Sequence, residues 1–145
     1  MITGGYLFFK EHFHVLQECL LLGVRKIIKN LISANTFILD VGCGTGVLVF
    51  FLSDLAKKVI GVDKNKQILE YAQRKKSKWQ IINVEFVSKD ANDLKLFSEI
   101  CFDYVIFSMF LHQFSTIEAH RVLDLVKKNA KYIILLILYI LYLKI

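Results

Sequence analysis

The feature that most constrains this chain is a short apolar strand followed at once by a glycine-rich loop. The segment Phe37–Val41 is apolar except for one aspartate, and Gly42, Gly44 and Gly46 follow it in alternation. Apolar residues at helical spacing come directly after the loop. Glycine lacks a Cβ, so such a loop can turn tightly and let a ligand approach its backbone. The order of strand, glycine loop and helix predicts a ligand-binding unit in an α/β domain.

Strand-like and helical segments alternate along the chain. The strand-like segments are apolar on both faces, which is typical of a parallel sheet covered by helices on both sides. Right-handed crossovers make such a sheet doubly wound. The predicted elements are a helix Phe13–Ile32, a strand Phe37–Val41, a helix from Val47 to about Ala56, a strand Lys58–Asp63, a helix capped by Asn65, a strand Val84–Val87, a short helix near Leu94–Glu99, a strand Asp103–Phe107, a helix from Ser115 to about Lys128, and a strand Tyr132–Leu136.

Length and cysteine usage limit the class of protein. The 145 residues suffice for one domain, and an apolar content of 55% excludes a disordered chain. The three cysteines are far apart and form neither a metal-binding pair nor a disulfide framework, which favours a reducing compartment. Charged residues come early, so no signal peptide is expected. We predict one cytoplasmic domain over residues 1–145, with a helical segment 1–33, a core 37–136 and no metal site.

The chain is basic, with a formal net charge of +6. Part of the excess lies in the run Arg74–Lys78. A nucleic-acid partner would use such charges for phosphate contacts, whereas a solvated helix face needs no partner. Only Trp79 adds an aromatic ring to the run, and stacking platforms for single strands need several. The solvated face is the favoured interpretation.

The C-terminal segment Tyr132–Leu143 is uncharged and almost wholly apolar. Its twelve residues fall short of the roughly 20 that a helix needs to span a bilayer, so no transmembrane segment is expected. We predict a buried strand with an apolar tail. An apolar edge strand without a neighbour invites pairing with another chain, so we expect either a homodimer through this edge or poor solubility.

The second strand ends on a carboxylate, Asp63, seventeen residues after Gly46. A carboxylate at this place can accept hydrogen bonds from both hydroxyls of a ribose, although an ordinary turn or helix N-terminus also uses one. A dinucleotide fingerprint would place a third glycine at position 47, where this chain has Val47. A nicotinamide-dependent oxidoreductase is therefore disfavoured.

Asp90 and Ala91 follow the third strand. A carboxylate acceptor beside a backbone N–H can read the edge of an adenine. The alternative is an aspartate that caps the loop, a role for which Asp93 is equally suited. Together the strand ends predict a crevice for an adenosine-containing ligand, at the point where the strand order reverses.

These segments resemble the motifs of class I S-adenosylmethionine-dependent methyltransferases. The glycine loop is nearly identical to the first motif of that family, and four ordered motifs cover roughly Phe37 to Leu136. A further stretch resembles the branch that acts on small molecules, including quinone-type methyltransferases. The four motifs are Leu39–Gly46, Val59–Asp63, Ser88–Ala91 and Phe102–Ile106. Arg121–Leu123 resembles the helix before the fifth strand, and Met109–Phe114 is the stretch that resembles the small-molecule branch.

The resemblance implies a Rossmann-like, mostly parallel sheet of five strands in the order 3-2-1-4-5. The family's C-terminal antiparallel hairpin would be missing here, or vestigial in Leu138–Leu143. The cofactor implied is S-adenosylmethionine. The cofactor-binding residues implied are Asp40 and the backbone of Gly42 and Gly44 at the methionine part, with Cys43 and Gly46 in the same loop. Asp63 is implied at the ribose, Lys64, Asp90 and Ala91 at the adenine, and Phe107 and Ser108 at the methionine ammonium through backbone carbonyl groups.

The reaction implied is methyl transfer to an acceptor. His112 is the candidate general base, to be weighed against a packing or capping role. No Asn/Asp-Pro-Pro-aromatic motif follows the fourth strand, where Ser108-Met109-Phe110 stands, so a nucleic-acid acceptor is disfavoured and a small molecule is expected. The alternative is a catalytically inactive module, or a truncated subunit, that binds S-adenosylmethionine.

Overall fold

The computed structural model describes residues 21–97, 99–108 and 115–136. Contacts divide the chain into two units, Met1–Ile32 and Ser33–Ile145. In the first unit, residues 21–31 form helix α1, inside the predicted range Phe13–Ile32, whose beginning lies outside the described residues. The single domain remains a prediction. None of the helices in the described part of the chain has the length and apolar character to cross a membrane.

The second unit contains a five-stranded sheet in the order β3-β2-β1-β4-β5. All pairings between these described strands are parallel, which confirms the predicted doubly wound fold and strand order. The predicted tail Leu138–Leu143 lies outside the described residues. The strands are β1 (Phe37–Val41), β2 (Lys58–Asp63), β3 (Val84–Ser88), β4 (Phe102–Ser108) and β5 (Ala130–Leu136).

Helical segments connect these strands, and two of them differ from expectation. Helix α2 (Val47–Leu52) ends well before Ala56, because short turns replace the helical ladder after Leu52. The segment predicted as a helix near Leu94–Glu99 is instead a 3₁₀ helix that begins earlier. The remaining helical elements are α3 (Lys66–Trp79), the 3₁₀ helix (Ala91–Phe97) and α4 (Thr116–Val126).

Local capping explains where the longer helices begin. The side chain of Asn65 accepts hydrogen bonds from the backbone N–H groups of residues 67 and 68 at the start of α3. Ser115 and Glu118 form the predicted capping box at the start of α4. Both caps were readable from the sequence because they depend on neighbouring residues alone.

The central strand β1 fixes the position of the glycine loop. Ile38, Leu39 and Val41 are buried, as expected for a strand between two neighbours and covered on both faces. Strand β1 pairs with β2 on one side and β4 on the other, so the strand order reverses there. Ligands of open α/β sheets bind beyond the carboxyl ends of strands at such a reversal. The loop after β1 therefore lies at the expected place for a ligand.

At the other end of the sheet, the side chain of Asn83 links the segment before β3 to the segment between α2 and β2. Its Nδ2 donates to the carbonyl groups of Ser53 (2.6 Å) and Ala56 (3.0 Å). We expect Asn83→Ala to lower the free energy of unfolding by about 1–3 kcal/mol, because two partly buried acceptors lose their donor. Urea unfolding measures this change. The control Asn30→Ala, at an exposed position, should stay within about 0.5 kcal/mol of the parent chain.

The carboxylate of Asp103 predicts a pH dependence of stability. Its oxygens accept hydrogen bonds from the Lys131 ammonium (2.6 Å) and the Phe37 N–H (2.9 Å), and these two donors lower the pKa of Asp103. A lowered pKa stabilises the fold above the unfolded value of about 3.9, and the contribution is lost as pH falls through the folded value. The difference in unfolding free energy between the parent and Asp103→Asn should therefore shrink on acidification. A constant difference would contradict this assignment.

Candidate functional site

The glycine loop closes against the second strand. The N–H groups of Gly42 and Cys43 both donate to the carbonyl oxygen of Val62, at 2.8 and 3.0 Å. Gly42, Gly44 and Gly46 all have positive φ, between 53° and 76°. Residues other than glycine rarely adopt this backbone conformation. The three glycines are therefore required by the shape of the loop itself.

Two of these glycines face different surroundings. A Cβ on Gly46 would lie 2.6 Å from the ring of Phe86, which is too close for any carbon contact. A Cβ on Gly44 would meet nothing within 4 Å. Gly46 is therefore needed for packing of α2 against β3, whereas Gly44 leaves its outer side open to a ligand.

Asp63 ties the tip of β2 to the glycine loop. One of its carboxylate oxygens accepts the N–H of Gly44 at 3.0 Å, and the other accepts the N–H of Asn65 at 2.9 Å. The structure therefore places the predicted ribose acid directly beside the glycine loop. The turn role weighed as the alternative is also present, since the bond to Asn65 shapes the start of α3.

Asp90 lies at the tip of β3 and shapes the next turn. Its Oδ1 accepts hydrogen bonds from the backbone N–H and the side-chain amide of Asn92, both at 2.9 Å. The backbone N–H of Asn92 is the main cause that lowers the pKa of Asp90, and the positive charge of Lys64 adds to it. Asp90 is thus ionised at neutral pH. The neighbouring Ala91 is buried at the start of the 3₁₀ helix.

A crevice opens between the tips of β1, β2 and β3. It brings together five of the predicted cofactor-binding residues, and Gly44 joins them through its bond to Asp63. Lys89 was missed by the sequence reasoning, although its place at the end of β3 beside Asp90 could have indicated it. The lining residues are Val41, Gly42, Val62, Asp63, Lys64, Lys89, Asp90 and Ala91.

Other predicted residues lie around this crevice or beneath it. Asp40 is completely buried in β1. Cys43 is buried next to it, and burial raises the pKa of its thiol, with further contributions from the charges of Asp40 and Asp63. A thiol held neutral in this way is no nucleophile. The Cys43 side chain is therefore a buried part of the loop, and its part in cofactor binding stays a prediction.

The predicted residues at the end of β4 are described only in part. Phe107 is fully buried, so any contact with a ligand would have to come from its backbone, as predicted. Ser108 is the last residue of β4. His112, the candidate base, lies outside the described residues, as does the whole segment Met109–Phe114. In the part of the chain that is described, no group of three or more metal-ligating side chains is gathered.

The side chains that line the crevice limit the kind of ligand that it can hold. Carboxylates at the tips of β2 and β3 can accept from hydroxyl and amino groups, and the open side of Gly44 admits a ligand to the loop. Val41 and Val62 form the apolar part of the crevice lining. Lys64 and Lys89 set two positive charges at the rim of this crevice.

Comparisons with known proteins show the family of this chain. Residues 38–131 match the sequence profile of a family described as "Methyltransferase domain". The demethylmenaquinone methyltransferase of Oceanobacillus iheyensis is 39% identical over 77 residues, which cover 51% of this chain and 32% of that enzyme. The chain thus spans about a third of the length of this curated relative.

Solved structures give the same result. A SAM-dependent methyltransferase from Aquifex aeolicus superposes with a TM-score of 0.61 and 25% identity, covering 72% of this chain and 56% of that one. PKMT2 from Rickettsia typhi, solved in complex with AdoHcy, superposes with a TM-score of 0.59 and 28% identity, covering 66% of this chain and 19% of that one. The profile match extends over more than half of the chain, from β1 to the start of β5. The chain therefore belongs to the methyltransferase domain family.

Proposed function

We propose that the chain binds S-adenosylmethionine in the crevice and transfers its methyl group to a small-molecule acceptor. The observation that carries this proposal is the 3.0 Å bond from the Gly44 N–H to the carboxylate of Asp63. It brings an acid suited to a ribose against a loop suited to close approach of a ligand. Asp90 and Ala91 line the same crevice and are suited to an adenine edge.

The charges of the site suit this ligand. S-adenosylmethionine carries a sulfonium and an ammonium, and Asp63 and Asp90 place two carboxylates in the lining of the crevice. The Aquifex aeolicus protein is named as SAM-dependent, and the Rickettsia typhi structure holds AdoHcy, the product that remains after methyl transfer. Both likenesses support the same cofactor for this chain.

When bound, the sulfonium supplies an already activated methyl group, so the protein's task is to position the acceptor and exclude water. Within this proposal, the glycine loop, Asp63 and Asp90 hold the donor. A base is needed only for an acceptor that must lose a proton, and His112 remains the candidate. The named activity of the Oceanobacillus relative supports a quinone-type acceptor.

The alternative is a module that binds S-adenosylmethionine without turnover. The short match to the curated relative leaves room for it, but no described residue favours it over catalysis. A nicotinamide-dependent oxidoreductase has less support, because Val47 occupies the place of the third glycine of a dinucleotide loop.

The test has two stages on the full chain. Calorimetry should detect binding of S-adenosylmethionine and S-adenosylhomocysteine, and no comparable binding of NAD. A methyl-transfer assay over quinone, phenol and amine acceptors should then release S-adenosylhomocysteine with one of them. Binding without turnover on any acceptor favours the inactive module, and binding of NAD alone sinks the proposal.

The homodimer through the C-terminal edge also stays a proposal. In the described part of the sheet, β5 pairs with β4 on one side and exposes Tyr132 and Leu135. Apolar side chains on an edge strand favour association. Sedimentation equilibrium should show a dimer that Tyr132→Lys dissociates, and a monomer at every concentration would refute it.

A further inference from the structure

Large apolar side chains are exposed where α3 ends. Ile82 is 95% exposed, more than any other large hydrophobic residue in the described part of the chain. Trp79, the last residue of α3, is 50% exposed. Single exposed apolar residues are common on proteins, but two of them three residues apart form a projecting apolar point that needs a reason.

The chain on both sides of Ile82 is fixed. Gln80 ends α3 in a left-handed conformation, and the N–H of Ile81 turns back to the Lys76 carbonyl oxygen at 3.2 Å. On the other side, Asn83 is held by its two side-chain bonds and by the Val59 N–H, which donates to the Asn83 carbonyl oxygen at 3.0 Å. Ile82 therefore projects from an anchored turn.

Trp79 is held in place from beneath and from the side. Its ring contacts the ring of Phe50 edge-on, with centroids 5.1 Å apart. The ammonium of Lys75 lies 4.9 Å from the Trp79 ring and 5.2 Å from that of Tyr71. The indole is thus pre-positioned, so little conformational freedom would be lost on contact with a partner.

Basic residues precede this apolar point along α3. Arg74, Lys76 and Lys78 lie in the last two turns of α3, and none of them makes a salt bridge within residues 21–97, 99–108 and 115–136. Glu85, at the neighbouring β3, is paired with Lys58 at 2.7 Å. We call Trp79 and Ile82, with these three cations, the α3 tip.

We propose that the α3 tip docks the protein on the surface of an anionic lipid bilayer. In this arrangement Ile82 and Trp79 enter the interface, and Arg74, Lys76 and Lys78 contact the headgroups. Amphipathic aromatic rings favour the level of the headgroups, and basic residues near an anionic surface add electrostatic attraction. Such a protein lies on the membrane without spanning it.

The exposed isoleucine favours a bilayer over a nucleic acid. An aliphatic side chain has no π-face on which a base can stack, whereas hydrocarbon accepts it readily. The tip also lies away from the crevice: α3 begins beside Asp63, at the carboxyl end of β2, and ends before the first residue of β3. Docking therefore leaves the crevice accessible, and the proposal does not depend on what the crevice binds.

The chain contains a single tryptophan, so Trp79 reports directly on its own surroundings. Full-length protein is titrated with vesicles of phosphatidylcholine, with and without phosphatidylglycerol, and separately with a single-stranded oligoribonucleotide. We expect Trp79 emission to shift to the blue, and the protein to co-sediment, only with the vesicles that contain phosphatidylglycerol. Brominated acyl chains should quench the indole.

Variants separate insertion from charge. Ile82→Ser should lower the partition coefficient about tenfold, through loss of a buried aliphatic side chain. Lys78→Gln should lower it about fivefold, by removing one surface charge. Ile117→Ser is the matched control, because Ile117 is 77% exposed on α4, and it should leave partitioning unchanged. Lys128→Gln is the corresponding control for charge.

Four results would overturn the proposal. They are equal binding to neutral and anionic vesicles, co-sedimentation without a change in Trp79 emission, equal losses for Ile82→Ser and Ile117→Ser, and a response to the oligoribonucleotide but not to vesicles. The substituted side chains are exposed, so each variant should keep the parent's thermal unfolding, which is measured alongside.

Discussion

We expect Asp63→Ala to weaken the binding of S-adenosylmethionine about 5- to 150-fold, which corresponds to about 1–3 kcal/mol of binding free energy. The proposed carboxylate would accept both ribose hydroxyls, and such charge-assisted bonds are stronger than neutral ones. The same substitution also releases the N–H groups of Gly44 and Asn65, which the carboxylate holds at 3.0 and 2.9 Å. Calorimetry on the parent and the variant measures the effect.

A conservative variant and a control isolate the role of this carboxylate. Asp63→Asn keeps the shape but replaces one acceptor oxygen by an NH₂ donor, which would face either Gly44 or Asn65. It should therefore lose affinity almost as Asp63→Ala does. Asp93→Ala removes an exposed carboxylate beyond the crevice lining and should bind like the parent. Equal affinity of the parent and Asp63→Ala would remove Asp63 from the site.

The unliganded proteins provide a second comparison. Asp63→Ala should lower the thermal unfolding temperature, because two backbone donors lose their acceptor. Added S-adenosylmethionine should raise the unfolding temperature of the parent more than that of the variant. If both rise equally, the lost carboxylate stabilises the turn and takes no part in binding.

Much of the fold was predictable because local rules decide it. The bounds of β1 and β2 agree with the sequence-based prediction, since a continuous apolar run between turn residues has one reasonable interpretation. The caps at Asn65 and Ser115 agree as well, because capping involves residues two or three positions apart. The parallel order followed from alternation of elements together with the family resemblance.

The elements that differ from the prediction are those in which hydrogen bonds to the third residue back replace the α-helical bonds to the fourth. The prediction continued α2 to about Ala56, but Ser53 and Leu55 bond to carbonyl groups three residues back and end the helical ladder. After β3, the bond from the Asp93 N–H to the Asp90 carbonyl oxygen (2.9 Å) starts a 3₁₀ turn where a later helix was expected. Apolar periodicity does not distinguish these turns from an α-helix.

For residues far apart in sequence, the prediction could say which of them lie near one another but not which contacts they make. The tips of parallel strands meet at one edge, so a shared crevice was expected, but the bond between Gly44 and Asp63 needs the actual register of β1 and β2. The same applies to the cluster of Trp79 with Phe50, because these rings come from different helices.

Gly46→Ala should lower the free energy of unfolding by about 2–5 kcal/mol. A positive φ of 76° disfavours alanine by about 1–2 kcal/mol. The new Cβ would also lie 2.6–2.7 Å from the Phe86 ring, and overpacking of this kind adds about 1–3 kcal/mol. Denaturant unfolding of the unliganded protein measures the sum.

Gly44→Ala is the matched control, since its φ of 53° is also positive but its Cβ would meet nothing within 4 Å. It should show the backbone effect alone, about 1–2 kcal/mol. When Phe86→Leu is combined with Gly46→Ala, the loss of unfolding free energy that the ring contact causes should disappear, and the loss caused by the backbone conformation should remain. The double-mutant cycle should therefore give a non-zero coupling energy. Equal losses for both alanine variants, with no coupling to Phe86, would show that the ring moves aside and that the loop conformation alone requires Gly46.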